Sequence, residues 1–278
     1  KEFIHMSKYI FTVTAGRSGQ VSLTETINKY SLNCHAEVEH PEIHTFFKGR
    51  LGKYEHNFRR KFIETNELLG RGKILTSFSN NNISYIASIA KKKKSIFNGF
   101  LEGESQIYFD VGKHFARGFH LGFEEILKSY SVVLLVRDPM ENILSFIRRD
   151  KDFFRDNNHP SDAMNQYVFI KDQYTSVDLY AWMWVETYLR FLSIKKSEKV
   201  NSYYVLHTED LNKKEKIMDL FEVLEIKGNF TDFKGVKMNT SNYNGSSLTD
   251  EERVQFLSFV SDLPLKILDE IPMLKKYT

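Results

Sequence analysis

Cysteine is nearly missing from this sequence: Cys34 stands alone among 278 residues, which excludes an internal disulfide and implies a reducing compartment. No apolar stretch approaches the roughly 20 residues a helix needs to span a bilayer, so no membrane span is expected. No secretory signal is readable ahead of the first strand pattern, and the expected location is cytoplasmic. Charge of one sign is not in excess either. Lys and Arg number 39 against 36 Asp and Glu, a formal charge of +3, which gives no basis for a nucleic-acid partner and makes any anion site local. Linkers rich in Pro, Gly or Ser are absent, as are internal repeats. One domain over 6–278 is the expectation, with 1–5 read as a vector-derived remnant ahead of Met6.

What is present is alternation. Short β-branched runs, "YIFTVT" (9–14), "QIYFDV" (106–111), "SVVLLV" (131–136) and "SYYVLH" (202–207), alternate with segments of helical period, the pattern of βαβ units and a mainly parallel sheet. "SVVLLV" is the most continuous and is expected to be central, buried on both faces. Helices are expected in "VSLTETINKY", "ENILSFIRRD", "VDLYAWMWVETYLRFLSIKK", "LNKKEKIMDLFEVL" and "TDEERVQFLSFVSDL". Tyr180, Trp182, Trp184 and Tyr188 are spaced to fill two faces of the third of these, as core. The run "KKKK" at 91–94 reads as solvated surface.

Two strand ends carry the chemistry. After the first strand, "TAGRSG" places two glycines and an arginine in a turn leading into a helix. Backbone N–H groups at a helix N-terminus, approached closely through glycine and joined by a guanidinium, suit phosphate or sulfate oxygens. A Walker A loop is not present, since G-x-x-x-x-G-K-[ST] does not occur. After the third expected strand, "VRDPMENILS" places Asp138 as helix cap, Pro139 at the first helical position and Glu141 as the capping-box partner. Arg137 then stands at the strand's carboxyl end with Ser145 two helical turns on. Ligand crevices of open parallel sheets lie outside such ends, so both motifs are expected to face one crevice.

With these two motifs in this order, about 120 residues apart, the sequence resembles the sulfotransferases that use 3′-phosphoadenosine 5′-phosphosulfate (PAPS). Weaker similarity runs through "YFDVGKHFARGF" and "LHTEDL". The resemblance implies a P-loop-like, three-layer α/β/α fold with a central, mainly parallel sheet. It implies a 5′-phosphosulfate loop over Ala15, Gly16, Arg17, Ser18, Gly19, Gln20 and Val21, and a 3′-phosphate site at Arg137 and Ser145. Family loops commonly carry Thr where this chain has Gln20. The activity implied is sulfuryl transfer from PAPS to a hydroxyl or amine, with 3′,5′-ADP (PAP) leaving in line and no metal required. A small molecule, carbohydrate or peptide is the acceptor class.

Sulfuryl transfer, like phosphoryl transfer, depends on positioning and charge stabilisation, so a cation over the bridging oxygen matters most. Arg17 is the candidate. A base must take the acceptor proton, and "NCHAEVEHPEIH" (33–44) supplies the options. The tyrosylprotein branch of the family carries a glutamate at nearly this distance, which points to Glu37, then Glu39; the cytosolic branch uses histidine, which leaves His35 as a fallback. If the segment is a strand, all three share one face. His40 and His44, flanking Pro41, read as ordinary polar residues rather than metal ligands. Lys113 and His114 stand at another strand end, beside the acceptor or simply at the surface. The polar loop 237–247 is expected over the nucleotide, with Lys237 as an added cation. Two other readings stay open: a nucleotide or sugar phosphotransferase, for which Asp110 would have to hold Mg²⁺, and a non-catalytic nucleotide-binding relative.

Overall fold

The computed structural model describes residues 8–39, 46–59, 67–101, 105–149, 152–235 and 247–278. Strands β1 (Lys8–Val13), β2 (Cys34–Val38), β3 (Ile107–Val111), β4 (Tyr130–Val136) and β5 (Val200–His207) form one sheet in the order β2-β3-β1-β4-β5. Every pairing is parallel. The middle place belongs to β1, with β4 beside it and buried along its whole length.

Helices cover both faces, as an all-parallel sheet requires, and the long connection from β2 to β3 carries α2 (Gly49–Phe58) and α3 (Lys73–Ser79) ahead of α4 (Ile83–Asn98). Alternation along β1 assigns its residues to the two layers. Tyr9, Phe11 and Val13 pack with Tyr108, Val132 and Leu134 against α4, α5 (His120–Ile126) and α7 (Ser176–Ile194). Phe11 stacks on Phe115 with ring centroids 4.3 Å apart, within an aromatic group that includes Phe97, Phe123 and Tyr130. Ile10, Phe109, Val133 and Leu135 point the other way, onto Leu23 and Ile27 of α1 (Gln20–Tyr30) and Ile217 and Leu220 of α8 (Lys214–Val223). Burying each such side chain contributes about 1.5–3 kcal/mol. The result is the expected three-layer α/β/α arrangement.

Three local expectations change. The lysine run is not wholly solvated: in α4, Lys93 falls on the same helical face as Ile86, Ala90 and Phe97 and is 3% exposed. Its Nζ lies 3.4 Å from Asp110 Oδ2 and over the Phe97 and Phe119 rings, so the charge is paired where it is desolvated. In α6 (Pro139–Ile147) the cap forms, since Asp138 accepts from the Glu141 N–H at 3.2 Å. The box does not close, because the Glu141 carboxylate accepts instead from Arg137 Nε at 2.9 Å. The third change concerns Glu39, described below. α7 behaves as read: Tyr180, Trp182 and Trp184 are buried, and a Thr175/Asp178 capping box starts the helix. Among the described residues no helix is long and apolar enough to cross a membrane.

Candidate active site

β1 ends at Val13 and the chain reverses through positive backbone angles, φ 93° at Gly16, 57° at Arg17 and 89° at Gly19. Glycine is required twice. A Cβ on Gly19 would lie 2.6 Å from Leu211 Cδ1, and one on Gly16 would meet Phe146 and Lys113 at 3.3 and 3.4 Å. Side chains from distant elements hold the loop's carbonyl oxygens. Arg117 Nη2 donates to Ala15 O at 2.9 Å, Asn142 Nδ2 to Gly16 O at 2.8 Å, and Thr208 Oγ1 to Ser18 O at 2.8 Å. The Ser18 hydroxyl also turns inward, donating to Gly16 O at 3.1 Å.

The first backbone bond of α1 runs from Leu23 N–H to Gly19 O, and no side chain caps the helix. The amides of Gln20, Val21 and Ser22 therefore have no acceptor within the helix, the condition under which a helix N-terminus attracts an anion. Gln20 has swung toward the third strand, its Nε2 at 3.5 Å from Val111 O. A recess behind the loop is lined by Ala15, Ser18, Val136, Trp184, Thr187 and Tyr188.

At the end of β4, Arg137 makes the bond to Glu141 described above, and Trp184 Nε1 donates to its carbonyl at 3.0 Å. Burial alone pushes the Asp138 carboxyl up, but hydrogen bonds from Lys276, Tyr277 and the Glu141 N–H bring it below the usual carboxylate value. One turn further along α6, Asn142 reaches the glycine loop. After another, Ser145 Oγ accepts from Arg17 Nε at 3.1 Å. The two motifs read from sequence thus meet side chain to side chain.

The acidic segment divides. His35 and Glu37 lie on one face of β2, with Nε2 and Oε1 2.7 Å apart and the imidazole stacked on Phe100. Glu39 does not join them. β2 stops at Val38, paired with Val111, and Glu39 has φ 46°, which carries it off the strand. Its carboxylate reaches instead toward Arg71 Nη2 at 3.8 Å and Lys113 Nζ at 4.0 Å. The cluster of three expected on a continuous strand is replaced by a pair and a single carboxylate beyond it.

Lys113 stands at the end of β3 as Arg17 and Arg137 do after β1 and β4. Its stem lies against Gly16, and its Nζ pairs with Asp156 Oδ2 at 2.9 Å. Asp156 also meets Arg71 Nε at 2.6 Å, and its carbonyl accepts from Arg117 Nη1 at 2.8 Å. Burial, then Arg117, lowers the Lys113 ammonium below its ordinary value, against the raising effect of Glu39 and Asp156. Burial pushes the Arg117 guanidinium down to about 10. His114, 3% exposed and with neither ring nitrogen hydrogen-bonded, is held well below the ordinary imidazole value by burial and by Lys113, Arg117, Arg71 and Lys93.

Sequence reasoning gave Lys113 only a secondary place and did not find Arg71, Arg117, Asn142, Asp156 or Thr208. For Lys113 a signal existed, its position after a strand matching those of Arg17 and Arg137. For the rest, the contacts come from elements distant in sequence. Asp110 pairs with Lys93. Among the described residues no three His, Cys, Asp or Glu side chains form a group able to hold a metal ion. His40, His44, Lys237 and most of the 237–247 loop lie outside the described residues.

No protein-family model matches the chain, and no curated protein does. Solved structures are similar to it in fold. A sulfotransferase from Alicyclobacillus acidocaldarius superposes with a TM-score of 0.50 at 14% identity, covering 97% of this chain and 94% of that one. The sulfotransferase domain of the Synechococcus PCC 7002 olefin synthase gives a TM-score of 0.47 at 14% identity, with the same 97% and 94% coverage. The architecture is sulfotransferase-like.

Proposed function

We propose that this chain transfers the sulfuryl group of PAPS to a hydroxyl or amine of a small-molecule, carbohydrate or peptide acceptor. The observation that carries this reading is the Arg17 Nε to Ser145 Oγ hydrogen bond of 3.1 Å, which joins the glycine turn after β1 to the helix after β4, with Arg137 at the same strand end. Two anion positions on one crevice suit a nucleotide phosphorylated at both 3′ and 5′. The likeness in fold to a sulfotransferase is consistent with that reading.

In this reading the turn from Ala15 to Val21 takes the 5′-phosphosulfate through backbone N–H groups, and Arg137 and Ser145 take the 3′-phosphate. Gln20 leaves the backbone contacts intact while removing one hydroxyl. The donor supplies the sulfuryl group, whose bridging O–S bond breaks as the acceptor oxygen bonds to sulfur, and the electron pair leaves on 3′,5′-ADP. Arg17 and Lys113 neutralise charge on that bridging oxygen, their side chains entering from two strand ends. Glu39 is the preferred base, because it extends past the strand toward Lys113, whereas Glu37 lies two residues earlier and is engaged by His35. Glu37, the first choice from the sequence, becomes the second, and His35 stays the third.

Calorimetric titration with 3′,5′-ADP, 5′-AMP and ATP tests the reading. Micromolar binding of 3′,5′-ADP, much weaker 5′-AMP and a large loss in Arg137→Ala are expected. Equal affinity for 3′,5′-ADP and 5′-AMP would overturn it.

A further inference from the structure

The charges around Lys113 are unevenly shared. Lys113 and Arg117, four residues apart after β3, and Arg71, from a separate loop, converge on Asp156, with side-chain contacts of 2.9 Å from Lys113 and 2.6 Å from Arg71. The same two cations stand 4.0 and 3.8 Å from Glu39, outside hydrogen-bonding range. Arg117 completes a bridge, donating through one nitrogen to the Asp156 carbonyl and through another to the carbonyl of Ala15 in the glycine turn. Asp156 therefore reaches the end of β3 through its carboxylate, and the loop expected to hold phosphosulfate through its backbone carbonyl and Arg117.

We infer, on the sulfotransferase reading above, that Asp156 is the positioning residue of the transfer centre: it holds Lys113 beside Gly16 and keeps Lys113 and Arg71 from closing onto Glu39. Without it, both cations are drawn to the nearest remaining carboxylate, Glu39, about 1 Å closer than they now stand. The loss is double, since the sulfuryl group loses its second cation and the base loses its free oxygens. Asp156 touches neither donor nor acceptor in this scheme and acts only through Lys113 and Arg71.

PAPS and 3′,5′-ADP differ by the sulfuryl group, so the ratio of their affinities isolates contacts at that group and needs no acceptor. Calorimetry is to be run with both nucleotides on wild type, Asp156→Asn, Lys113→Met and the double variant, across neutral to alkaline pH. Asp156→Asn is expected to lower the PAPS preference about tenfold, and to have no further effect beside Lys113→Met. The pH profile adds a readout that loss of packing would not move. Lys113 is faced by Asp156 and Glu39 as anions and by Arg117, Arg71 and neutral His114; without Asp156 two anions become one, and Lys113 must share Glu39 with Arg71, so the ammonium loses its proton at lower pH. The PAPS preference should accordingly fail at lower pH in Asp156→Asn than in wild type. An unchanged ratio and profile, or the same drop beside Lys113→Met, overturns the inference. If Asp156→Asn does not fold, Asp156→Glu decides by the same rule: it must lower the ratio alone and leave it unchanged beside Lys113→Met. Wild type that binds neither nucleotide instead removes the sulfotransferase reading itself, and this inference with it.

Discussion

Arg17 and Ser145, 128 positions apart in sequence, share a hydrogen bond of 3.1 Å from guanidinium Nε to hydroxyl. The contact crosses from the turn after the middle strand to the helix after its neighbour. It ties the Arg17 guanidinium to the helix that carries Ser145.

Arg17→Ala should therefore lower turnover more than nucleotide binding. A fall in kcat of roughly 10²–10³ is expected, measured as 3′,5′-ADP released from PAPS. Ser145→Ala should weaken 3′,5′-ADP binding by about tenfold, near 1.4 kcal/mol, through loss of one charge-assisted hydrogen bond. A Ser145→Ala variant that binds 3′,5′-ADP and 5′-AMP with wild-type affinities would place the 3′-phosphate elsewhere.

Gly19→Ala combines two costs, a positive φ of 89° and a Cβ placed 2.6 Å from Leu211. Thermal unfolding should show a loss of about 1–3 kcal/mol, with nucleotide affinity falling alongside. Trimming Leu211 to Ala in the same chain should recover binding in part, because it relieves the clash and not the backbone strain.

Lys93 and Asp110 form a buried pair at 3.4 Å, each 3% exposed. Breaking it from one side, with Lys93→Met, leaves an uncompensated carboxylate and should cost about 3–5 kcal/mol in chemical denaturation. Neutralising both, with Lys93→Met and Asp110→Asn together, should cost less than either change alone. Additive losses would show that the pair does not act as a pair.

His114 imposes a pH dependence whose sign follows from its depressed value. The unfolded chain binds a proton near pH 6.5 and the folded chain does not, so stability is full above that pH and declines as the pH falls below it. The slope for one such group is about 1.4 kcal/mol per pH unit. His120, which burial and then Arg190 lower to about 3, adds a second slope of the same sign, so denaturation midpoints between pH 5 and 7 should show the decline and His114→Gln should remove about half of it.

The two strand-end motifs were legible because their signals are local. Glycine at a positive φ and an aspartate cap before proline are written into a few adjacent residues, and Gly16, Gly19 and Asp138 do what those signals imply. The alternation that assigned strands and helices was legible for the same reason. Lys93 was not, because whether a lysine in a charged run faces water depends on which side of α4 docks on the sheet. Glu39 was misplaced on the face of Glu37 because a single backbone angle, not the sequence pattern, ends the strand at Val38. The group around Asp156 was beyond reach for a further reason: residues 71, 113, 117 and 156 become neighbours only after the sheet and its connections are assembled.

The clasp on Asp138 has a consequence for the order of events during synthesis. Its two side-chain donors, Lys276 and Tyr277, belong to the last residues described, whereas all five strands are complete by His207. Once α8 has followed β5 and covered its face, a nascent chain has every strand and motif of the two strand ends, while the cap beside Arg137 still lacks its outer partners. The cap of α6 gains these two partners only when residues 276 and 277 pack back beside it, after the helices that cover the sheet.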